Sequence, residues 1–279
     1  MIEPHESGAE SSEGIARLRL HVLASGSKGN CSVVQDARTG ACVVIDCGIS
    51  KRAFMERLNA CGVDPMSIEA ILVTHEHSDH TKGMGVVTRG LARLGVRPPV
   101  FASEAVHAAS TELRAIEDAV DLRHFSRGDD LALAGMAVHA FATSHDAAES
   151  FGFRFDCADD SVGFMTDTGI VTGEAYEALR CCRVLALEAN HDPDMLKNGP
   201  YPYYLKERIA SERGHLSNAQ SAELLEALLD DRLECIVGMH VSQNNNTYRL
   251  PRTVLADALA RNDHPACALV GYQDRPVSV

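Results

Sequence analysis

The chain has 279 residues, 45% of them hydrophobic, with 26 basic against 39 acidic side chains and a formal charge of −13. That size supports a sizeable core, and the absence of any apolar run of about 18 residues excludes a predicted membrane-spanning helix. The acidic balance excludes a general nucleic-acid coat, which needs a basic face. It does not exclude a phosphate substrate at one site where two divalent ions add positive charge locally.

In chain order, residues 1–14 are rich in Glu, Ser and Gly and read as a disordered acidic tail. They lack the basic start and apolar stretch of a secretory signal. Residues 15–279 read as a single domain, because no linker or composition break follows. Segments 18–24, 32–34 and 42–46 read as strands, and 51–62 has helical spacing with Gly62 at its end. AILVT (70–74) is a buried-strand run; 86–95 and 105–115 read as helices. Segments 136–143, 150–155 and 162–166 alternate as strands do. A helix over 173–181 and a strand over 184–188 follow, then an amphipathic helix over 218–229 with Asn218 near its N-cap. Strand 235–239, helix 253–261 and strand 267–270 complete the chain. Strands followed by helices in each half predict two packed sheets covered by helices, an α/β sandwich.

The nine cysteines form no C-x-x-C pair. They read as buried thiols in a reducing cytoplasm, and Cys47, beside Asp46, reads as a small core residue. The sequence leaves self-association open.

The chemistry concentrates in T-H-E-H-S-D-H, residues 74–80. His75 and His77 leave a strand on one side, because strand side chains repeat every second residue. Asp79 and His80 follow at the turn into the next helix. Three imidazoles and a carboxylate this close form a dense ligand set that suits Zn, Mn or Fe. One cluster does not complete two metal shells. His145, Asp167 and His240 each sit just past an apolar run, so all of them converge if those strands end at one sheet edge.

H-x-H-x-D-H after a strand, followed by a later His, Asp and His, resembles the metallo-β-lactamase superfamily over nearly the whole chain beyond the tail. The resemblance implies a four-layer αββα sandwich of two mixed β-sheets flanked by helices. By position it implies one metal on His75, His77 and His145 and a second on Asp79, His80 and His240, with Asp167 bridging. Asp46, at the end of CVVID, matches the family's early Asp and would orient a ligand. β-Lactamases of this fold carry Cys where Asp167 stands and lack the match of His80. Diiron flavoproteins carry an acid where His77 stands. Both departures point to hydrolases with two full metal sites. The segments LASGSKGNCSVV (23–34), EANHDPDML (188–196), GPYPYYLKERIASERGHLSNAQSA (199–222) and HVSQNNN (240–246) resemble the YycJ/WalJ-type group, which is 5′-to-3′ DNA exonuclease-like. The larger RNA nucleases insert a domain between the matches of Asp167 and His240; the interval here is too short for one.

Lys206, Arg208 and Arg213 are candidates for phosphate contact, or else one solvated helix face. His215, before a helix start, and His191 are candidates for substrate contact, and His215 also for proton transfer. Asn30 and the glycines of SGSKGN could face a phosphate, although their spacing is not that of a P-loop. The resemblance implies two metals about 3.5–4 Å apart that generate hydroxide for in-line attack on phosphorus. Asp79 would orient the nucleophile and His215 would assist the leaving group. Two other readings stand beside this DNA phosphodiesterase: a hydrolase of a small ester, thioester or lactone on the same metals, and a non-catalytic metal-binding regulator.

Overall fold

The structure is a computed structural model that describes residues 17–279. The acidic tail expected at 1–14 lies outside those residues. Strands β1 (Leu18–Ala24), β2 (Cys31–Asp36) and β3 (Cys42–Ile45) lead into helix α1 (Lys51–Ala60), strand β4 (Ile68–Leu72) and helices α2 (Ser78–Thr81) and α3 (Met84–Arg93). Then come β5 (Val100–Ala102), α4 (Glu104–Ala109), α5 (Thr111–Arg114), β6 (Leu122–His124), β7 (Asp130–Leu133), β8 (Met136–Ala142), β9 (Phe151–Cys157) and β10 (Asp160–Met165). The chain continues through α6 (Gly173–Leu179), β11 (Val184–Glu188), α7 (Pro193–Asn198), α8 (Tyr203–Ile209) and α9 (Asn218–Leu228). It ends with β12 (Cys235–Met239), α10 (Arg249–Arg261), β13 (Cys267–Val270) and β14 (Val277–Ser278). Among the described residues, no helix is long and apolar enough to cross a membrane.

These strands form two seven-stranded sheets, ordered β14-β1-β2-β3-β4-β5-β6 and β13-β12-β11-β10-β9-β8-β7. Both are mixed. β3 to β6 run parallel beside antiparallel β1 and β2, and β10 to β13 run parallel beside antiparallel β7 to β9. The sandwich of two mixed sheets flanked by helices is the architecture expected from the sequence.

The continuous apolar runs have a simple cause. In β11, Val184 and Ala186 join the core that also holds Val22, Val33 and Phe153, while Leu185 and Leu187 join a second core with Leu225 of α9 and Leu255 of α10. In β12, Val237 and Ile236 divide in the same way. A strand covered on both faces must be apolar on both. The sheets are also tied by charge. Arg183, before β11, holds Asp160 with Nε at 2.7 Å, and its guanidinium reaches the Leu18 carbonyl of β1. Asp160 in turn accepts the backbone N–H groups of Arg17 and Leu18.

Several expected boundaries move. The helix expected over 105–115 is two helices, because Ser110 turns extended and its hydroxyl accepts the Leu113 N–H, capping the second helix. Helix α9, by contrast, starts at Asn218 as expected; its cap is the adjacent Ser217, in a reciprocal box with Gln220, and Asn218 bonds to Asn246. Helix α10 begins at Arg249 instead of 253, with Pro251 in its first turn, where a missing N–H costs nothing. Of the cysteines, Cys181 and Cys267 are exposed and Cys61 is half-buried, which corrects the expectation of uniformly buried thiols.

Candidate metal centre and active site

The carboxyl ends of the parallel strands of both sheets meet at one place. Asp46 follows β3, His75 and His77 follow β4, and Asp79 and His80 stand in α2. From the other sheet, His145 follows β8, Asp167 follows β10, Glu188 closes β11 and His240 follows β12. Asp46, Asp167 and His240 are left-handed, with φ of 59°, 56° and 54°. Non-glycine residues seldom adopt this conformation, so the surrounding structure must hold it. Backbone crowding constrains the site too: a β-carbon on Gly48 would collide with the Asp79 carbonyl.

Groups of donors here lie close enough to hold ions: His75, His77 and His145; Asp79, His80 and His240; and a set sharing Asp167. The gaps between donors are 3.3 Å (His77 to His145), 3.4 Å (His80 to Asp167), 3.5 Å (His240 to Asp79) and 3.6 Å (His80 to Asp79). Tetrahedral bonds of about 2.0–2.1 Å separate ligand atoms by about 3.3–3.4 Å, so the spacing fits. Nε2 of His75, Nε2 of His240 and Oδ2 of Asp167 are buried with no hydrogen-bond partner. Buried polar atoms left so are costly unless an ion or water meets them.

The opposite ring nitrogens are occupied. Nδ1 of His75 lies 3.0 Å from the Thr74 hydroxyl, and Nδ1 of His80 lies 2.7 Å from Asp46. Nδ1 of His145 lies 3.1 Å from the Gly214 carbonyl, and Nδ1 of His240 lies 3.1 Å from Glu188. Each ring thus has Nδ1 held by the protein, the arrangement that orients histidine ligands; Nε2 is unpartnered in His75 and His240, while that of His80 lies 3.0 Å from the Asn30 amide nitrogen and that of His145 lies 3.3 Å from His77.

Electrostatics agree. Burial, with His80 and His145 nearby, holds His75 well below its ordinary pKa, in the neutral form that ligates. Burial also lowers His145. Burial opposes charge on His80, but Asp167, Asp46 and Asp79 outweigh it and push that ring up to about 9. His240 rises for the same reason, beside Asp167 and Glu188. Despite burial, His80 and His240 hold Asp79 below the usual carboxylate range. The pocket is therefore rich in buried carboxylate and calls for cations.

Glu188 was not singled out as a site residue from the sequence. It is fully buried, and its oxygens accept from His215 Nδ1 (2.8 Å), His240 Nδ1, Thr168 N (3.0 Å) and Leu216 N (3.1 Å). Like Asp46, which the family resemblance singled out, it is an acid at the end of an apolar run. The Leu216 N–H, just before the Ser217 cap of α9, thus meets an anion that the protein itself supplies.

The expected substrate contacts divide. A cleft of about 280 Å³ opens over the donors, and Arg208, Arg213 and His215 line it. Arg208 is paired with Asp146 at 2.8 Å, and the Arg213 guanidinium donates to the His145 carbonyl. Lys206 lies outside the cleft lining; its ammonium donates to the Lys197 carbonyl. Asn30 is buried and outside the cleft lining; its amide nitrogen lies 3.0 Å from His80 Nε2 and 3.2 Å from Asp79, and its oxygen accepts the Gly26 N–H. His191 is buried outside the cleft, and burial lowers it to about 4.

The β-lactamase superfamily domain profile matches residues 42–240. The exodeoxyribonuclease WalJ of Streptococcus pneumoniae serotype 2 (strain D39 / NCTC 7466) is 32% identical over 248 residues, covering 88% of this chain and 90% of that protein. The exodeoxyribonuclease YycJ of Bacillus anthracis is 33% identical over 242 residues, covering 87% and 89%. The metallo-β-lactamase fold protein YhfI from Bacillus subtilis superposes with a TM-score of 0.69 at 11% identity, covering 94% of this chain and 99% of that one. With its donor clusters where the two sheets meet, the chain belongs to the metallo-β-lactamase superfamily and, within it, to the group of WalJ and YycJ.

Proposed function

We propose that this protein is a dinuclear metal-dependent phosphodiesterase that shortens DNA from its 5′ end. The observation that carries the reading is the pair of adjoining donor sets. His75, His77 and His145 would hold one ion and Asp79, His80 and His240 the other, with Asp167 reaching both. WalJ and YycJ, named exodeoxyribonucleases, support the choice of substrate. Imidazole and carboxylate donors favour Zn or Mn and accept Fe.

Bound divalent ions would supply Lewis acidity at the phosphoryl group and lower the pKa of water. The chain's own residues do the rest. Arg208 and Arg213, on the cleft wall, would hold phosphate oxygens, Arg213 with its guanidinium already anchored on the His145 carbonyl. His215, steered by Glu188, would deliver a proton to the leaving oxygen. Asp79, with Asn30 behind it, would orient the attacking water. Nine free thiols favour a reducing cytoplasm as the working compartment.

The test is a panel of 5′-phosphorylated DNA, a chromogenic phosphodiester, a thioester and a lactone, each with Mn or Zn. Shortening of DNA from the 5′ end, abolished in Asp79→Ala and His80→Ala proteins that keep their fold, is the expected result. Turnover of the thioester or lactone alone, or near-normal DNA turnover by metal-loaded Asp79→Ala, would overturn the reading.

A further inference from the structure

A second groove, of about 540 Å³, lies along α10 and the segment after β13, lined by Tyr248, Arg249, Arg252, Asp257, Tyr272 and Arg275. It sets three arginines against one carboxylate in a chain of net charge −13. Exposed arginines elsewhere divide: Arg52, Arg123, Arg127, Arg180 and Arg261 are each paired with an acid, while others such as Arg93 and Arg97 form no ion pair among the described residues. Among the described residues, Arg249, Arg252 and Arg275 form no ion pair; Arg252 donates only to the Ala268 carbonyl, at 3.3 Å. The Arg275 guanidinium lies over the Tyr272 ring, 3.8 Å from its centre, and the Tyr248 ring stands 4.7 Å from that of Tyr272. The result is a cationic shelf beside two aromatic rings tilted at 59° to each other.

The shelf is wired to the catalytic cleft. The Tyr272 carbonyl accepts the Ser25 N–H at 3.0 Å, and the Ser25 hydroxyl accepts the His240 N–H at 2.7 Å. Gln273, whose N–H donates to the Tyr248 hydroxyl, binds Lys28 N and the Gly29 carbonyl, both at 2.8 Å. Ser27 of that same loop lines the cleft. Residues 25–29 are therefore a wall between cleft and groove. Exposed Lys28, and Lys82, whose ammonium donates to the Lys28 carbonyl, add cations there.

We propose that this groove binds a single-stranded nucleic-acid segment trailing from the end held in the cleft. The inference rests on the phosphodiesterase reading and extends it to the shape of the substrate. Unpaired arginines meet backbone phosphates, and a guanidinium plane on an aromatic ring offers a surface on which any base stacks. Stacking of this kind ignores base identity, as an exonuclease advancing along a strand requires.

The test uses the full chain loaded with metal and a triple variant, Arg249→Gln, Arg252→Gln and Arg275→Gln. Two substrates are compared: a 5′-phosphorylated dinucleotide, which fills only the cleft, and a 5′-phosphorylated single strand of about 20 nucleotides. The variant is expected to turn over the dinucleotide as the wild type does. On the long strand its KM should rise tenfold or more, and the slope of log affinity against log salt should fall by about 2, near 0.7 for each lost phosphate contact. Unchanged KM and salt slope on the long strand would overturn the proposal, as would equal losses on both substrates. A wild-type protein that leaves both oligonucleotides intact while cleaving a thioester would remove the phosphodiesterase reading itself, and the groove's role with it.

Discussion

Replacing Glu188 by Gln keeps the shape of a fully buried side chain and removes its charge. The carboxylate takes four hydrogen bonds on two oxygens, from His215, His240, Thr168 and Leu216. A glutamine amide has one oxygen, and its NH₂ would face the two N–H groups that the other carboxylate oxygen now accepts. At least one buried contact is lost, which costs about 1–3 kcal/mol of stability. The functional loss is separate. Without its carboxylate, His240 loses the partner that aims its free Nε2, and removing such a partner weakens metal affinity about 10- to 100-fold, or about 1.4–2.8 kcal/mol. Affinity is read by competition with a chromophoric chelator at fixed pH, and stability by urea unfolding of the metal-free protein. The variant should bind fewer ions at a given chelator concentration, with one site affected more than the other. Equal affinity of both sites in variant and wild type, in a folded protein, would refute the role given to Glu188.

Asp160→Asn breaks the buried link between the sheets and should cost about 3–5 kcal/mol, measured as a lower urea midpoint. Burial raises the Asp160 pKa, but Arg183 and the backbone N–H groups outweigh it and leave it lowered, so its contribution is present above the unfolded value of about 3.9 and is lost as pH falls through the folded one. A wild-type stability that does not fall between neutral pH and pH 3 would contradict this. His80 behaves oppositely in the metal-free protein: its ring, raised to about 9, stabilises fully below about 6.5 and loses that contribution as pH rises through about 9. Metal loading at pH 7 should therefore expel protons from His80 and His240, seen as acidification of a weakly buffered indicator solution; no acidification would count against the assignment. Gly48→Ala should destabilise by about 1–3 kcal/mol and weaken metal binding, because its new methyl displaces the Asp79 backbone; a wild-type melt and full metal content would show that the loop yields freely.

The candidate donors were legible in the sequence because each follows a buried apolar run, and strand-end placement survives errors of a residue or two in the strand. Glu188 satisfies the same rule but stands inside VLALE, where it reads as the last residue of the strand. Asn30 and His191 show the limit of local reading. Polar side chains in loops look available until tertiary packing buries them, and nothing near Asn30 in sequence reveals that Asp79 lies beside it. The short strands β5, β6 and β7 are three or four residues long, too few for a period-two pattern to stand out, and α8 lies in a segment with no clear apolar stripe. The Arg–Tyr groove joins α10 to the segment after β13, so only the folded chain brings its parts together.

The donors that meet where the sheets adjoin are also spread along the chain, with a consequence for biosynthesis. A chain leaving the ribosome exposes His75, His77, Asp79 and His80 before β8, β10, β11 and β12 have been made. At that stage His145 and Asp167 do not yet exist to complete either donor set, and neither does Glu188 to aim the missing His240. An ion that met this first cluster early would find only part of the proposed shell. On the proposed ligand set, stable metallation would wait until His240 has emerged and the second sheet has docked, so the metal retained would be chosen from the compartment in which the chain finishes folding.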